Sequence, residues 1–216
     1  YFMSMNGLTT EKMSQALDWA YEKAIHGIPG DLSSESLAKS YMKKFSSTDE
    51  AIDSLIKWQM AKSSTSGFVT GLGGIITLPV AIPVNIASVL YVQMRMIAAI
   101  AHMRGYDLKD DQVQTFVFIC LTGQAASDIL KQSGITVGTK LTVQLIKKVP
   151  GATLTKINQK VAFRLVTKFG EKGVINLGKL VPIVGGVIGA SVDGVGTKII
   201  GNQAKKLFVE LDSPVI

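Results

Sequence analysis

The chain has 216 residues, 47% of them hydrophobic and only 18% charged, with a mean hydropathy of +0.30 and a formal net charge of +7. That length supports a sizeable core, and the balance suits a helical protein with an unusually apolar interior or one that meets a membrane. Cys120 is the only cysteine, which excludes an internal disulfide framework.

No basic region followed by an apolar run opens the sequence, so no signal peptide is expected. Tyr1 and Phe2 precede Met3 and Met5, and residues 1 to 5 are left out of the fold argument. Thr9 or Thr10 caps a first helix running to about His26, with Met13, Ala16, Leu17, Ala20 and Ala24 as its apolar stripe. Asp31 through Ser34 supply the next cap, before Leu37, Tyr41 and Phe45 at helical spacing. Ser47 or Thr48, with Asp49 and Glu50, opens a third helix carrying Ile52, Leu55, Ile56 and Met60 to about Lys62.

From Ser63 to Met94 no residue is charged, and Gly67, Gly71, Gly73, Gly74, Pro79 and Pro83 punctuate the run. Its length permits a membrane span, but the two prolines oppose one continuous helix. The pattern predicts a glycine-rich helix over roughly 66–77, a proline turn, and a longer apolar helix over 83–103. A further apolar helix is predicted over 110–131, capped by Asp110 and Asp111, then a short amphipathic helix over 141–148. Helices over 152–169 and to about Leu211 complete the chain, and no period-two run persists. The fold class is therefore all-α, a compact multi-helix bundle with a glycine-rich hydrophobic core. Residues 6–62 form an amphipathic N-terminal subdomain, and residues 63–216 a glycine-rich hydrophobic helical domain.

The segment from Leu180 to Gly196 tests three readings: membrane span, buried helix or phosphate loop. Gly186, Ala190 and Gly194 recur every four residues, and Gly185 with Gly189 makes a second such pair. On a helix these small residues let another backbone approach closely. A phosphate loop would place Lys and Ser or Thr after its second glycine; Val195 and Gly196 stand there instead. A span is opposed by Asp193, since a carboxylate at mid-bilayer costs roughly 2.5–3.5 kcal/mol. Helix packing is the reading adopted.

Charge is unevenly spread. Residues 1 to 62 hold seven Lys against eight acids, whereas from 131 to 179 ten bases face only Glu171. Lys156, Lys160, Arg164, Lys168 and Lys172 repeat every four residues, opposite Leu154, Ile157, Val161, Leu165 and Val166. Such a face is either a solvated surface or a contact for anionic lipid. Only Phe163 and Phe169 accompany it, so nucleic acid is not expected.

Chemistry-bearing groups are few. His26 and His102 lie far apart with no metal-ligand spacing, so neither a metal nor a cofactor is expected. A Cys120–His102–Asp128 arrangement is conceivable, but Cys120 sits within Val-Phe-Ile-Cys-Leu, where a thiol is usually inert. Arg95, with Gln93 and Asn85, interrupts an apolar helix, and Gln124 and Asp128 follow on the next. A buried arginine needs a partner, and the predicted one is Asp128.

The stretches from Ile97 to Asp107 (Ile-Ala-Ala-Ile-Ala-His-Met-Arg-Gly-Tyr-Asp) and from Lys179 to Gly189 (Lys-Leu-Val-Pro-Ile-Val-Gly-Gly-Val-Ile-Gly), with Ala204 to Phe208 beyond, resemble the EcsC family. The likeness covers about residues 60–210. It departs at Asn85, where the family pattern has an acid after the prolines, which argues against an essential carboxylate there. The family is named for a bacterial gene beside an ABC transporter implicated in secretion and has no agreed chemical activity. The resemblance thus implies a non-enzymatic, membrane-associated bacterial protein, cytoplasmic and peripheral to the inner membrane. Its expected partner is an anionic membrane surface or a membrane transporter; oligomeric state is left open. Residues 67–92 and 180–200 would supply apolar surface to that contact. Two other classes remain: a protein that inserts a hydrophobic hairpin, suggested by the uncharged run from Ser63 to Met94, and permeabilises membranes, and a hydrolase or lipid-binding protein.

Overall fold

The computed structural model describes residues 7–63, 82–135, 147–170 and 187–211, without the side chains of 62–63, 84–85 and 187–195. Eight α-helices are described: α1 Thr10–His26, α2 Ser34–Met42, α3 Thr48–Ser63, α4 Val84–Met103, α5 Asp111–Leu121, α6 Ala126–Gln132, α7 Gly151–Phe169 and α8 Val187–Leu207. The fold is all-α, as the periodicity predicts. The glycine-rich helix over 66–77 lies outside the described residues, as does nearly all of the one over 141–148.

Local chemistry sets the boundaries. The Thr9 side chain accepts from the Lys12 N–H and caps α1. Gly27 ends it at φ +80°, where an added Cβ would sit 3.0 Å from the Ser33 nitrogen and 3.1 Å from the Asp31 carbonyl, so only glycine fits. Ser33 caps α2, and the Ser34 hydroxyl donates to the Ala24 carbonyl at 2.8 Å, pinning α2 to the end of α1. Asp110 occupies the cap position of α5 without making a side-chain cap hydrogen bond.

The predicted helix over 110–131 is broken. Thr122 turns its hydroxyl onto the Ile119 carbonyl at 2.6 Å, Gly123 adopts φ +60°, and a 3-10 turn over Gly123–Ala125 separates α5 from α6. The last helix stops at Leu207 rather than near Leu211, because Phe208 is buried against Tyr106 and the chain beyond turns toward Arg104.

Helix α4 is the axis of the bundle. It packs against α1, α2, α3, α5 and α8, and Tyr91 through Ala101 are all buried. A helix apolar all round must be enclosed, and residues from all eight helices join one buried cluster around it. Its Ile86–Met103 window has a mean hydropathy of 1.4 and is 89% buried. Among the described residues it is the one helix long and apolar enough to cross a membrane.

The end of α4 explains the Gly-Tyr-Asp sequence. Gly105 takes φ +89°, the Tyr106 N–H returns to the Ala101 carbonyl at 3.1 Å, and the helix is terminated. Tyr106 packs edge-on to Phe208 with centroids 5.0 Å apart, and its hydroxyl donates to the Val209 carbonyl at 3.0 Å. The Asp107 carboxylate accepts from the Lys109 N–H at 2.9 Å, holding the following turn. Arg104 donates to Asp49 at 2.6 Å, Lys205 reaches Asp53 at 2.7 Å, and the Leu211 N–H closes on the Arg104 carbonyl at 3.2 Å. The starts of α3 and the ends of α4 and α8 are thereby clasped.

Helix α8 lies close on α3 at Gly201, where a Cβ would meet Ile56 Cγ1 at 2.7 Å. Small-residue packing thus occurs inside this protein, seven residues beyond Gly194. Gly189, Ala190, Asp193 and Gly194 lie on the helical backbone of α8, whose side chains there are not described; Gly185 and Gly186 lie outside the described residues.

Two outcomes follow. Gly201→Ala lowers unfolding free energy by about 1–3 kcal/mol through overpacking, and adding Ile56→Ala weakens this penalty in a double-mutant cycle read by urea denaturation. Equal penalties with and without Ile56 would contradict the close approach. The Asp49 carboxyl is held below its ordinary 3.8, first by the Arg104 hydrogen bond and then by the charges of Arg104 and Lys205. A depressed carboxyl contributes stability above its unfolded value and loses it as pH falls through the folded one. The melting-temperature gap between wild type and Asp49→Asn therefore closes as pH drops below the ordinary carboxylate range of about 4; a gap constant with pH would contradict the clasp.

Candidate functional site

The basic repeat forms one side of α7. Pro150 starts the helix, and Leu154, Ile157, Val161, Ala162 and Leu165 turn inward, where α7 packs on α1 and α5. Burying that stripe fixes the rotation of the helix, so Lys156, Lys160, Arg164 and Lys168 are all exposed. Lys160 reaches the Gln132 amide oxygen at 3.5 Å, and Lys168 lies 5.4 Å from the Phe169 ring. Among the described residues, no ion pair joins Lys156, Lys160 or Arg164 to a carboxylate. Lys172 lies outside the described residues.

Phe163, one of the two aromatics that accompany the repeat, adds an apolar group to it. It stands 65% exposed on the same helix, three residues from Lys160 and one from Arg164. The sequence signal was present: at 3.6 residues per turn Phe163 falls about 20° from Lys156, on the side of the helix opposite the Leu154–Leu165 stripe.

Arg95 is 2% exposed, as an arginine needing a partner should be, but its partner differs from the predicted one. It pairs with Asp31, on the turn between α1 and α2, and donates to the Leu32 carbonyl at 3.0 Å. Asp128 is exposed on α6. The reason is packing: α2 lies on α4 and brings the preceding turn over Arg95. Tyr91 completes the network, its hydroxyl donating to Asp31 at 3.3 Å and its ring 5.8 Å from the guanidinium. Burial pushes the Tyr91 phenol well above its ordinary value, so it stays a neutral donor. Around this network a cavity of about 410 Å³ is lined by Leu32, Tyr41, Phe45 and Trp58 among others.

The remaining candidates do not form a reactive group. Cys120 is fully buried, and desolvation pushes its thiol up, away from the thiolate a nucleophile requires. His102 is partly buried near the end of α4, and His26 is exposed at the end of α1. Among the described residues no three His, Cys, Asp or Glu side chains are grouped to hold a metal ion.

The ion pair yields a contrast. Asp31→Ala leaves the Arg95 charge buried and costs about 3–5 kcal/mol, whereas Asp128→Ala changes stability by about 0.5 kcal/mol or less. Chemical denaturation of both variants checks this, and equal losses would reject Asp31 as the partner.

No curated protein and no solved structure matches the chain. The model of the EcsC protein family matches residues 1–209, extending through α1, α2 and α3 as well as the later segments that carry the resemblance. The chain therefore belongs to the EcsC protein family.

Proposed function

We propose that this chain docks peripherally on the anionic inner face of a bacterial membrane through the outward side of α7. The observation that carries the reading is the 65% exposed Phe163 set among exposed Lys156, Lys160, Arg164 and Lys168. Basic residues with an aromatic on an amphipathic helix suit the boundary between headgroups and acyl chains. Each base near such a surface is worth about 1 kcal/mol. Four of them correspond to roughly millimolar affinity, so the contact is reversible and Phe163 strengthens it.

The burial of α4 in the protein's own core supports docking over spanning. The inert surroundings of Cys120 support a non-enzymatic role. Co-sedimentation with vesicles tests the proposal. Binding should rise with anionic lipid content and fall with salt. Lys160→Gln combined with Phe163→Ser should weaken it about tenfold or more, the sum of one base and one inserted ring. Binding indifferent to salt and to lipid charge would overturn the reading.

A further inference from the structure

The cavity of about 410 Å³ beside the Arg95–Asp31 pair lies between α2 and α3, over α4, and takes no wall from α7. Its size is that of a small-molecule site. Leu32, Phe45 and Trp58 stand exposed in its walls, Trp58 by 54%. Among the described residues, Met42 and Phe163 are the other large hydrophobic side chains so exposed. Single exposed apolar residues need no account, but three around one hollow mark a place where apolar matter is bound. The Tyr41 ring stacks on Phe45 with centroids 6.4 Å apart and stiffens that wall. Ser54 is the small residue among these large ones, and it keeps the hollow open from the α3 side.

The floor is charged yet self-satisfied. Asp31 takes Arg95 on one carboxylate oxygen and the Tyr91 hydroxyl on the other, so the pair adds no net charge to the lining. Three further polar groups are engaged less fully. Among the described residues, neither the Ser54 nor the Tyr41 hydroxyl makes a hydrogen bond, and the exposed Lys44 joins no carboxylate. The Lys44 ammonium lies instead over the Tyr41 ring, 5.7 Å from its centroid. Such a contact is weak enough at an exposed site to yield to an anion. Burial raises the Tyr41 phenol against the opposing charge of Arg95, so it stays a neutral donor.

One positive charge beside two neutral hydroxyls fits one negative charge shared by two oxygens. A dianion would bring its second charge toward Asp31, and an uncharged head would leave Lys44 without an anion.

We propose that this cavity binds a monocarboxylic acid with an apolar tail, the tail lying against Leu32, Phe45 and Trp58 and the carboxylate held by Lys44 with the Ser54 and Tyr41 hydroxyls. This binding is independent of docking through α7.

Trp58 reports on the site directly, since Trp19, the second tryptophan, is buried in α1. The full chain is titrated with dodecanoate below its micelle concentration and followed by tryptophan emission and acrylamide quenching. Dodecanoate should shift the emission to the blue and shield it from the quencher, and Trp58→Phe should lose the response. Dodecanol, with the same tail and no charge, should bind about fivefold more weakly, as befits one partly exposed ion pair. Lys44→Gln should bring dodecanoate to the affinity of dodecanol and leave dodecanol unchanged. Ser54→Leu fills the hollow with a better helix former and should weaken dodecanoate about tenfold or more through the lost tail contact. Phe163→Ser should bind dodecanoate as the wild type does.

Equal affinity for dodecanoate and dodecanol, tighter binding of dodecyltrimethylammonium, or wild-type affinity in folded Ser54→Leu overturns the proposal. A response lost in Phe163→Ser also overturns it, because the tail then sits on α7. If Ser54→Leu fails to fold, the double variant Ser54→Ala with Tyr41→Phe decides in its place. That variant removes two hydroxyls and adds no volume, and it should lose about tenfold in dodecanoate affinity; no loss overturns the proposal. Co-sedimentation with anionic vesicles separates the two readings. A dodecanoate response in a chain that ignores vesicles removes the docking reading alone, and salt-sensitive vesicle binding without a dodecanoate response removes the cavity alone.

Discussion

Helix α4 is apolar on nearly every side, and the rest of the molecule is arranged around that constraint. Five other helices close on it, and the residues from Tyr91 to Ala101 are all buried. Enclosure of an apolar rod is favourable in proportion to the area hidden, but Arg95 sits within it and demands an anion. The turn carrying Asp31 meets that demand. Hydrophobic enclosure thus sets the arrangement of helices, and one desolvated charge sets where α2 must lie.

Features determined within a few residues were legible in the sequence. Thr9 and Pro83 start helices where expected, since capping and proline geometry act locally. The inward stripe of α7 followed from periodicity, and with it the outward bases. Features joining distant segments were less legible. Asp31 looked like a helix cap, and nothing in the chain pattern connects it with Arg95, 64 positions later. Asp128 was favoured because it lies on the next predicted helix, yet proximity along the chain says little about which turn covers a buried side chain. The break at Thr122 and Gly123 was also hidden. A glycine inside an apolar run reads as a tolerated interruption unless its left-handed backbone is known.

The same division applies to function. The outward bases of α7 are a local property of sequence, whereas the hollow over Arg95 depends on α2, α3 and α4 coming from different parts of the chain. Diffuse attraction to an anionic surface requires only the first. Discrimination among ligands requires the second, because selectivity comes from placed donors and a bounded volume rather than from net charge.

The corner made by Gly105, Tyr106 and Asp107 is a hinge point of the architecture. Its residues stop a helix, wedge an aromatic beneath the final strand of backbone and hold a turn. None of these duties involves an outside molecule. A change of any of these three letters would loosen a joint of the scaffold and leave the outward side of α7 as it is.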